Sequence, residues 1–234
     1  MEKNERKPIF TVAELGCNWM GNPEILERMV TQCKWAGVNA VKFQALSDEL
    51  IARHPEWDWY KHASVTPENI HMIHGICRKL NVKWFCTPSY PQAIDFLDPY
   101  VMMWKIHHAG RFNKTIIDKC LDTQKPIYLS TDRPIPEYIM DSKYSSINQI
   151  YCIPQYPTTL GQLNFDMLKL LPGYSNHCLS IAACLKALTY DIKYLEFHLT
   201  DCMDSFSIDN KVSLTYQEMN ILMYYKRLLE NKIR

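Results

Sequence analysis

The sequence predicts a single α/β domain over residues 1–234, a (β/α)8 TIM barrel. Three observations predict it. Short apolar, β-rich segments recur eight times, helical segments lie between them, and no G-x-G-x-x-G or G-x-x-x-x-G-K-[ST] follows any of them. The length suits that fold and allows a large core. An open doubly wound sheet shows the same alternation, but with only seven glycines a glycine-rich phosphate loop is hard to place anywhere.

The strand segments, in order, are "IFTVAEL" (9–15), "NAVKFQ" (39–44), "VKWFCTP" (82–88) and "VMMWKIHH" (101–108), then "PIYLST" (126–131), "INQIYCI" (147–153), "GYSNHC" (173–178) and "YLEFHLT" (194–200). Most are rich in β-branched and aromatic residues. The first helix, "NPEILERMVTQCKWAG", opens on Asn-Pro and closes at Gly37, with Ile25, Met29 and Cys33 along one side. "TPENIHMIHGICRKL" opens on Thr-Pro in the same way, "SIAACLKALTY" follows strand seven, and a helix over 215–231 ends the fold. The longest irregular stretch, "ALSDELIARHPEWDWYKHASV" (45–65), follows strand two. A connection of that length is expected to be a lid or surface cover.

Composition narrows the partners. A net charge of +1, with basic residues scattered rather than clustered, gives no footprint for nucleic acid or a membrane surface. The N-terminal "MEKNERKPIF" has no apolar signal core, and no run approaches membrane-spanning length. Nine cysteines, an odd number without a C-x-x-C pair, read as small buried hydrophobes in a reducing compartment. The expected location is the cytoplasm.

Strand alternation then selects candidate site residues. In "YLEFHLT", Leu195, Phe197 and Leu199 share one face, while Tyr194, Glu196, His198 and Thr200 share the other. A barrel carries its active site at the C-terminal ends of the strands. There the chain offers Glu14, Lys42, Gln44, Thr87, Lys105, His107, Ser130 or Thr131, Ser175, His177, Glu196 and His198. Several charges buried together without a ligand would be costly, so their convergence points to a polyanionic ligand and a metal. The two lysines and the hydroxyls of Thr87, Ser130 and Ser175 suit a phosphate or carboxylate. Two imidazoles on neighbouring strands suit a divalent ion with open positions.

The motifs "AELGCNWMGN" (13–22), "AGVNAVKFQ" (36–44), "CTPSY" (86–90), "WKI" (104–106), "KPIYLST" (125–131), "QYPTT" (155–159), "GYSNHC" (173–178) and "LEFHLTD" (195–201) occur in order. Together they resemble the barrel domain of the sialic acid synthase family over nearly the whole chain. The resemblance implies condensation of phosphoenolpyruvate with an N-acyl-mannosamine-type sugar aldehyde, giving a nonulosonic 2-keto acid and phosphate. It implies Glu14, Lys42 and Lys105 as catalytic groups, and Lys42, Thr87, Lys105, Ser130 and Ser175 around phosphoenolpyruvate. His177 and His198 match the ligands of Mn2+ or Mg2+, with Glu196 as a supporting neighbour. Gln44, Tyr156 and Asp209 match positions that hold the acceptor.

The chain also departs from that pattern. His108 stands at a family serine; it and His107 are expected to be either new acceptor contacts or strand-end polar residues filling space left by the substitutions. Gly110 replaces an acid that meets the sugar, Asp132 a glycine, Pro154 an asparagine and Trp19 a histidine. Members of the family usually carry a C-terminal antifreeze-like domain that completes the partner subunit's site. Here the expectation is a separate lid protein, a different acceptor or lost activity, with a homodimer possible. The competing functions are a metal-dependent aldolase or lyase, which repulsion of phosphate by Asp132 would favour, and a non-catalytic synthase subunit.

Overall fold

In the computed structural model, which describes residues 7–53, 57–135, 142–202 and 207–230, eight parallel strands close into a barrel. They are β1 (Phe10–Glu14), β2 (Ala40–Ala45), β3 (Lys83–Pro88), β4 (Trp104–Ile106), β5 (Ile127–Thr131), β6 (Asn148–Tyr151), β7 (Gly173–Asn176) and β8 (Tyr194–Leu199). Neighbours in sequence are neighbours in the sheet, and β1 pairs with β8 to shut it. A two-residue strand, β9 (Ser213–Leu214), lies parallel against the end of β8.

Outside the barrel run α1 (Pro23–Ala36), α2 (Asp48–Ala52), α3 (Trp57–Ala63), α4 (Ile70–Lys79), α5 (Gln92–Leu97), α6 (Lys114–Asp122), α7 (Ile181–Ala187) and α8 (Tyr216–Leu229). Local chemistry sets their ends. The Asn22 side chain accepts from the N–H groups of Glu24 and Ile25, and Gly37, at φ 83°, returns its N–H to the carbonyls of Cys33 and Lys34. Thr215 and Glu218 form a reciprocal capping box at the start of α8.

Three expectations are corrected. The fourth strand is only Trp104–Ile106, because His107 (φ −72°, ψ 161°) leads straight into a 3-10 turn at His108–Gly110. Within the stretch 45–65, of which 54–56 lie outside the described residues, two short helices form. Ser47 caps α2 through the N–H of Leu50, and α3 follows. Both helices are too short for a hydrophobic period to reveal them. The helical layer is also uneven: α5 and α6 are present, but β6 and β7 are joined by 3-10 turns at Leu160–Gln162 and Phe165–Lys169. Aromatic packing covers the barrel there. Phe165 stacks on Tyr190 at 6.2 Å and lies 6.3 Å from Tyr174, which stacks on Tyr151 at 6.1 Å.

Outward-facing Val41, Phe43, Leu195 and Phe197 are fully buried against the helices, as alternation requires. Inside, the rings of Tyr128 and Tyr194 stack at 4.6 Å near the strand starts. Gly173 makes room for Ile150, since a Cβ there would lie 2.4 Å from Ile150 Cγ2. All nine cysteines are free thiols; eight are buried and Cys202 is exposed. Among the described residues no helix is long and apolar enough to cross a membrane.

Candidate active site

The barrel's interior is filled at its base and opens at the C-terminal ends of the strands into a cavity of about 450 Å³. Pairing register dictates which side chains meet there. Glu14 on β1 lies level with Lys42 on β2 and with His198 on β8, and Ser175 on β7 lies level with Glu196 on β8. All five are buried.

Glu196 is the hub. Its Oε1 accepts from Ser175 Oγ at 3.0 Å and from Lys105 Nζ at 3.3 Å, with Lys42 Nζ at 3.6 Å. Its Oε2 accepts from the Tyr194 hydroxyl at 2.5 Å. Burial works to raise this carboxyl, but Lys105 and Lys42, with the Tyr194 hydroxyl, outweigh it and hold Glu196 well below the usual carboxylate range. A glutamate in a buried strand is thus explained: it neutralises two buried ammonium groups.

The lysines reach outward from that hub. Lys105 Nζ donates to Ser130 Oγ at 2.8 Å, and Lys42 Nζ donates to Thr87 Oγ1 at 3.2 Å while pairing with Glu14 Oε2. Burial pushes Lys42 down to about 8, with Glu196 opposing the shift and Lys105 adding to it. Glu14 Oε1 is buried without a hydrogen-bond donor.

Across the cavity stands the imidazole pair, with ring centroids 5.5 Å apart. His177 follows β7 directly, and its Nδ1–H donates to the Ile153 carbonyl at 2.8 Å. That bond fixes the tautomer and leaves Nε2 with its lone pair. Burial, reinforced by His198 and Lys105, pushes His177 down to about 3, so the ring is neutral. His198 Nδ1 is buried without a hydrogen bond, 3.6 Å from Asp209 Oδ2. Asp209 is brought in by the segment after β8 and accepts from the Cys17 N–H at 3.4 Å. Gly16, at φ 37°, permits this approach, since a Cβ there would lie 2.5 Å from Asp209 Oδ2.

These residues fit a divalent ion. A neutral imidazole oriented by a carbonyl and a second buried imidazole facing a carboxylate, Asp209, at 3.6 Å are suited to a ligand pair. Among the described residues no group of three or more His, Cys, Asp or Glu side chains is placed to hold a metal, so the two imidazoles alone would be an incomplete set.

The rim differs from the interior. Arg111 Nη1 donates to His108 Nδ1 at 3.0 Å, and the opposite nitrogen of His108 meets Asp132 Oδ1 at 3.1 Å. Asp132 Oδ2 accepts from Arg133 at 2.9 Å. Burial opposes ionisation of Asp132, but Arg133 and His108 hold it down at about 2. His107, by contrast, faces the cavity with its ring laid over Gly110, where a Cβ would lie 3.1 Å from His107 Cε1. Burial, with Lys105 and Lys42 nearby, pushes His107 down to about 4.

Of the sequence-selected residues, Glu14, Lys42, Gln44, Thr87, Lys105, His107, His108, Ser130, Tyr156, His177, Glu196 and His198 line the cavity. Ser175 and Asp209 stand behind its wall, bonded to Glu196 and facing His198 respectively. Trp19 is buried and donates to the Ala63 carbonyl at 2.9 Å, tying the β1–α1 loop to α3. Sequence reasoning missed Cys152, Leu46 and Leu50, which also line the cavity. Cys152 directly follows β6, and cysteine alone carried no functional signal.

The fold and site define a class: a (β/α)8 barrel with a charged cavity at the catalytic end of its strands. Residues 29–233 match the NeuB family, and the chain belongs to it. An uncharacterised protein of Methanocaldococcus jannaschii is 24% identical over 97% of this chain and 72% of its own. The N-acetylneuraminate-9-phosphate synthase of Drosophila melanogaster is 23% identical over 92% of this chain and 66% of its own. The crystal structure of the N-acetylneuraminic acid synthetase of Leptospira borgpetersenii, in complex with citrate, shares the fold with a TM-score of 0.86. It is 24% identical and covers 96% of this chain and 85% of that one.

Proposed function

We propose that the protein condenses phosphoenolpyruvate with an N-acyl-mannosamine-type aldehyde, giving a nonulosonic 2-keto acid and phosphate. The observation that carries this reading is the pair of buried lysines, Lys42 and Lys105, each bonded to a hydroxyl (Thr87, Ser130) on the wall of one cavity. Two buried ammonium groups with adjacent hydroxyls match a donor bearing a phosphate and a carboxylate.

The residues divide the work. Lys42 and Lys105 hold the donor's anionic groups and stabilise the charge that gathers on the departing phosphate. Thr87 and Ser130 fix its orientation, and Ser175 keeps Glu196 between the lysines. C3 of phosphoenolpyruvate forms the new carbon–carbon bond with the aldehyde, whose oxygen takes a proton. Water adds at C2, the C2–O bond to phosphate breaks, and the 2-keto group remains. Glu14, with a buried oxygen free of donors, moves the proton. His177 and His198 are the residues that would hold a divalent ion, manganese or magnesium, which when bound supplies Lewis-acid polarisation of the aldehyde. Gln44, Tyr156, His107 and His108 line the cavity, which supports a part for them in holding the acceptor.

One observation favours this reading over a phosphate-independent lyase. Asp132 is not on the cavity wall, and Arg133 and His108 occupy both its oxygens, so its charge is compensated. The test is phosphate release from phosphoenolpyruvate with manganese, offered N-acetylmannosamine or its 6-phosphate. Release that depends on the acceptor and disappears in Lys105→Met supports the synthase. Phosphoenolpyruvate-independent cleavage of a nonulosonic acid by the same protein would favour the lyase.

A further inference from the structure

Tyr156 covers the imidazole pair. Its ring centroid lies 4.0 Å from that of His177 and 5.7 Å from that of His198. Its hydroxyl lies 2.7 Å from His177 Nε2. Since His177 Nδ1 already gives its proton to the Ile153 carbonyl, Nε2 is the acceptor and the phenol is the donor. The rings beneath are 8% and 2% exposed, whereas Tyr156 is 46% exposed. Tyr156 is therefore the outermost of the three.

A neutral imidazole nitrogen has one lone pair. It can accept a phenolic proton or bind a cation, but it cannot do both. We infer that Tyr156 is a latch on the metal-binding nitrogen of His177: a divalent ion takes that lone pair only when the hydroxyl releases it, and the hydroxyl then turns into the cavity. The inference rests on the reading in which His177 and His198 hold the ion. It makes Tyr156 a positioning residue with two exclusive partners, so the cavity gains a hydroxyl donor only after the ion is in place. Acceptor recognition through Tyr156 thereby follows metal loading.

The latch opposes the ion by the strength of one hydrogen bond, so Tyr156→Phe, which keeps the ring and loses the hydroxyl, is expected to bind Mn2+ roughly fivefold more tightly. The experiment titrates Mn2+ alone into the full chain and follows free ion by electron paramagnetic resonance. It compares the unsubstituted protein with Tyr156→Phe, Tyr156→Leu and His177→Ala. Tighter binding in both tyrosine variants, with loss of binding in His177→Ala, supports the latch. Equal or weaker binding in the tyrosine variants overturns the latch and leaves the metal site standing. Binding that survives His177→Ala places the ion elsewhere and overturns it as well. No binding in any of the proteins overturns the metal reading itself, and the latch with it.

Discussion

Around Glu196, Ser175, Lys105, Lys42 and Tyr194 converge with almost no exposure, whereas His108, Asp132, Arg111 and Arg133 meet at the rim of the same cavity within reach of solvent. At the rim every partner is supplied: both ring nitrogens of His108 and both oxygens of Asp132 are engaged. In the interior Glu14 Oε1 and His198 Nδ1 have no hydrogen bond. Leaving polar atoms unsatisfied costs most where water is excluded. The interior network leaves Glu14 Oε1 without a donor, and the rim network closes on itself.

The largest expected effect comes from breaking the interior. Lys105→Met leaves Glu196 and Ser130 without their shared donor and is expected to cost about 3–5 kcal/mol of stability. The double variant Lys105→Met/Glu196→Gln should recover part of that loss in denaturant titrations. A loss below ~1 kcal/mol would erase the distinction between the two networks.

Acid acts on the same interior. His177 lies at about 3 in the folded protein against an ordinary 6.5, so the unfolded chain takes up a proton first as the pH falls. Stability contributed by the neutral ring is complete above pH 6.5 and declines from there toward about 3. At 1.36 kcal/mol per unit, the fall between about pH 7 and about pH 4.5 is ~3 kcal/mol. His177→Gln should flatten that decline in denaturation midpoints, and an unchanged slope would remove His177 as its source.

Gly16→Ala probes the seam between β1 and Asp209. A Cβ 2.5 Å from Asp209 Oδ2, on a backbone at φ 37°, is expected to cost about 2 kcal/mol. The smallest effect belongs to the rim. Asp132→Asn removes one charge from a side chain 30% exposed and should change stability by less than about 1 kcal/mol. A larger loss would show that the rim network supports the barrel.

The interior was largely legible in the sequence, and the rim was not. Period-two alternation placed Glu14, Lys42, Lys105, Ser130 and His198 correctly because a strand's side chains have only two directions. The central position of Glu196 was not apparent, since its importance comes from β2 and β4 approaching it across the barrel. The rim depends on a 3-10 turn at His108–Gly110, whose geometry carries no period. The sequence set His107 and His108 side by side; both line the cavity, but the structure also ties both nitrogens of His108 to Arg111 and Asp132, whereas His107 lies over Gly110. Helices α2, α3, α5 and α6, each of nine residues or fewer, were not read from the sequence, although α7, at seven residues, was. The lid expected over 45–65 is in part α2 and α3, and Leu46 and Leu50 reach the cavity from that segment.

The central claim is that the interior network is a donor site awaiting its anion. Calorimetric titration of phosphoenolpyruvate into the manganese-loaded protein tests it most directly, with Lys105→Met as the control and circular dichroism confirming that the control is folded. The account predicts binding in the intact protein that is lost in the control. Binding unaffected by Lys105→Met, or none in the intact protein, would contradict it.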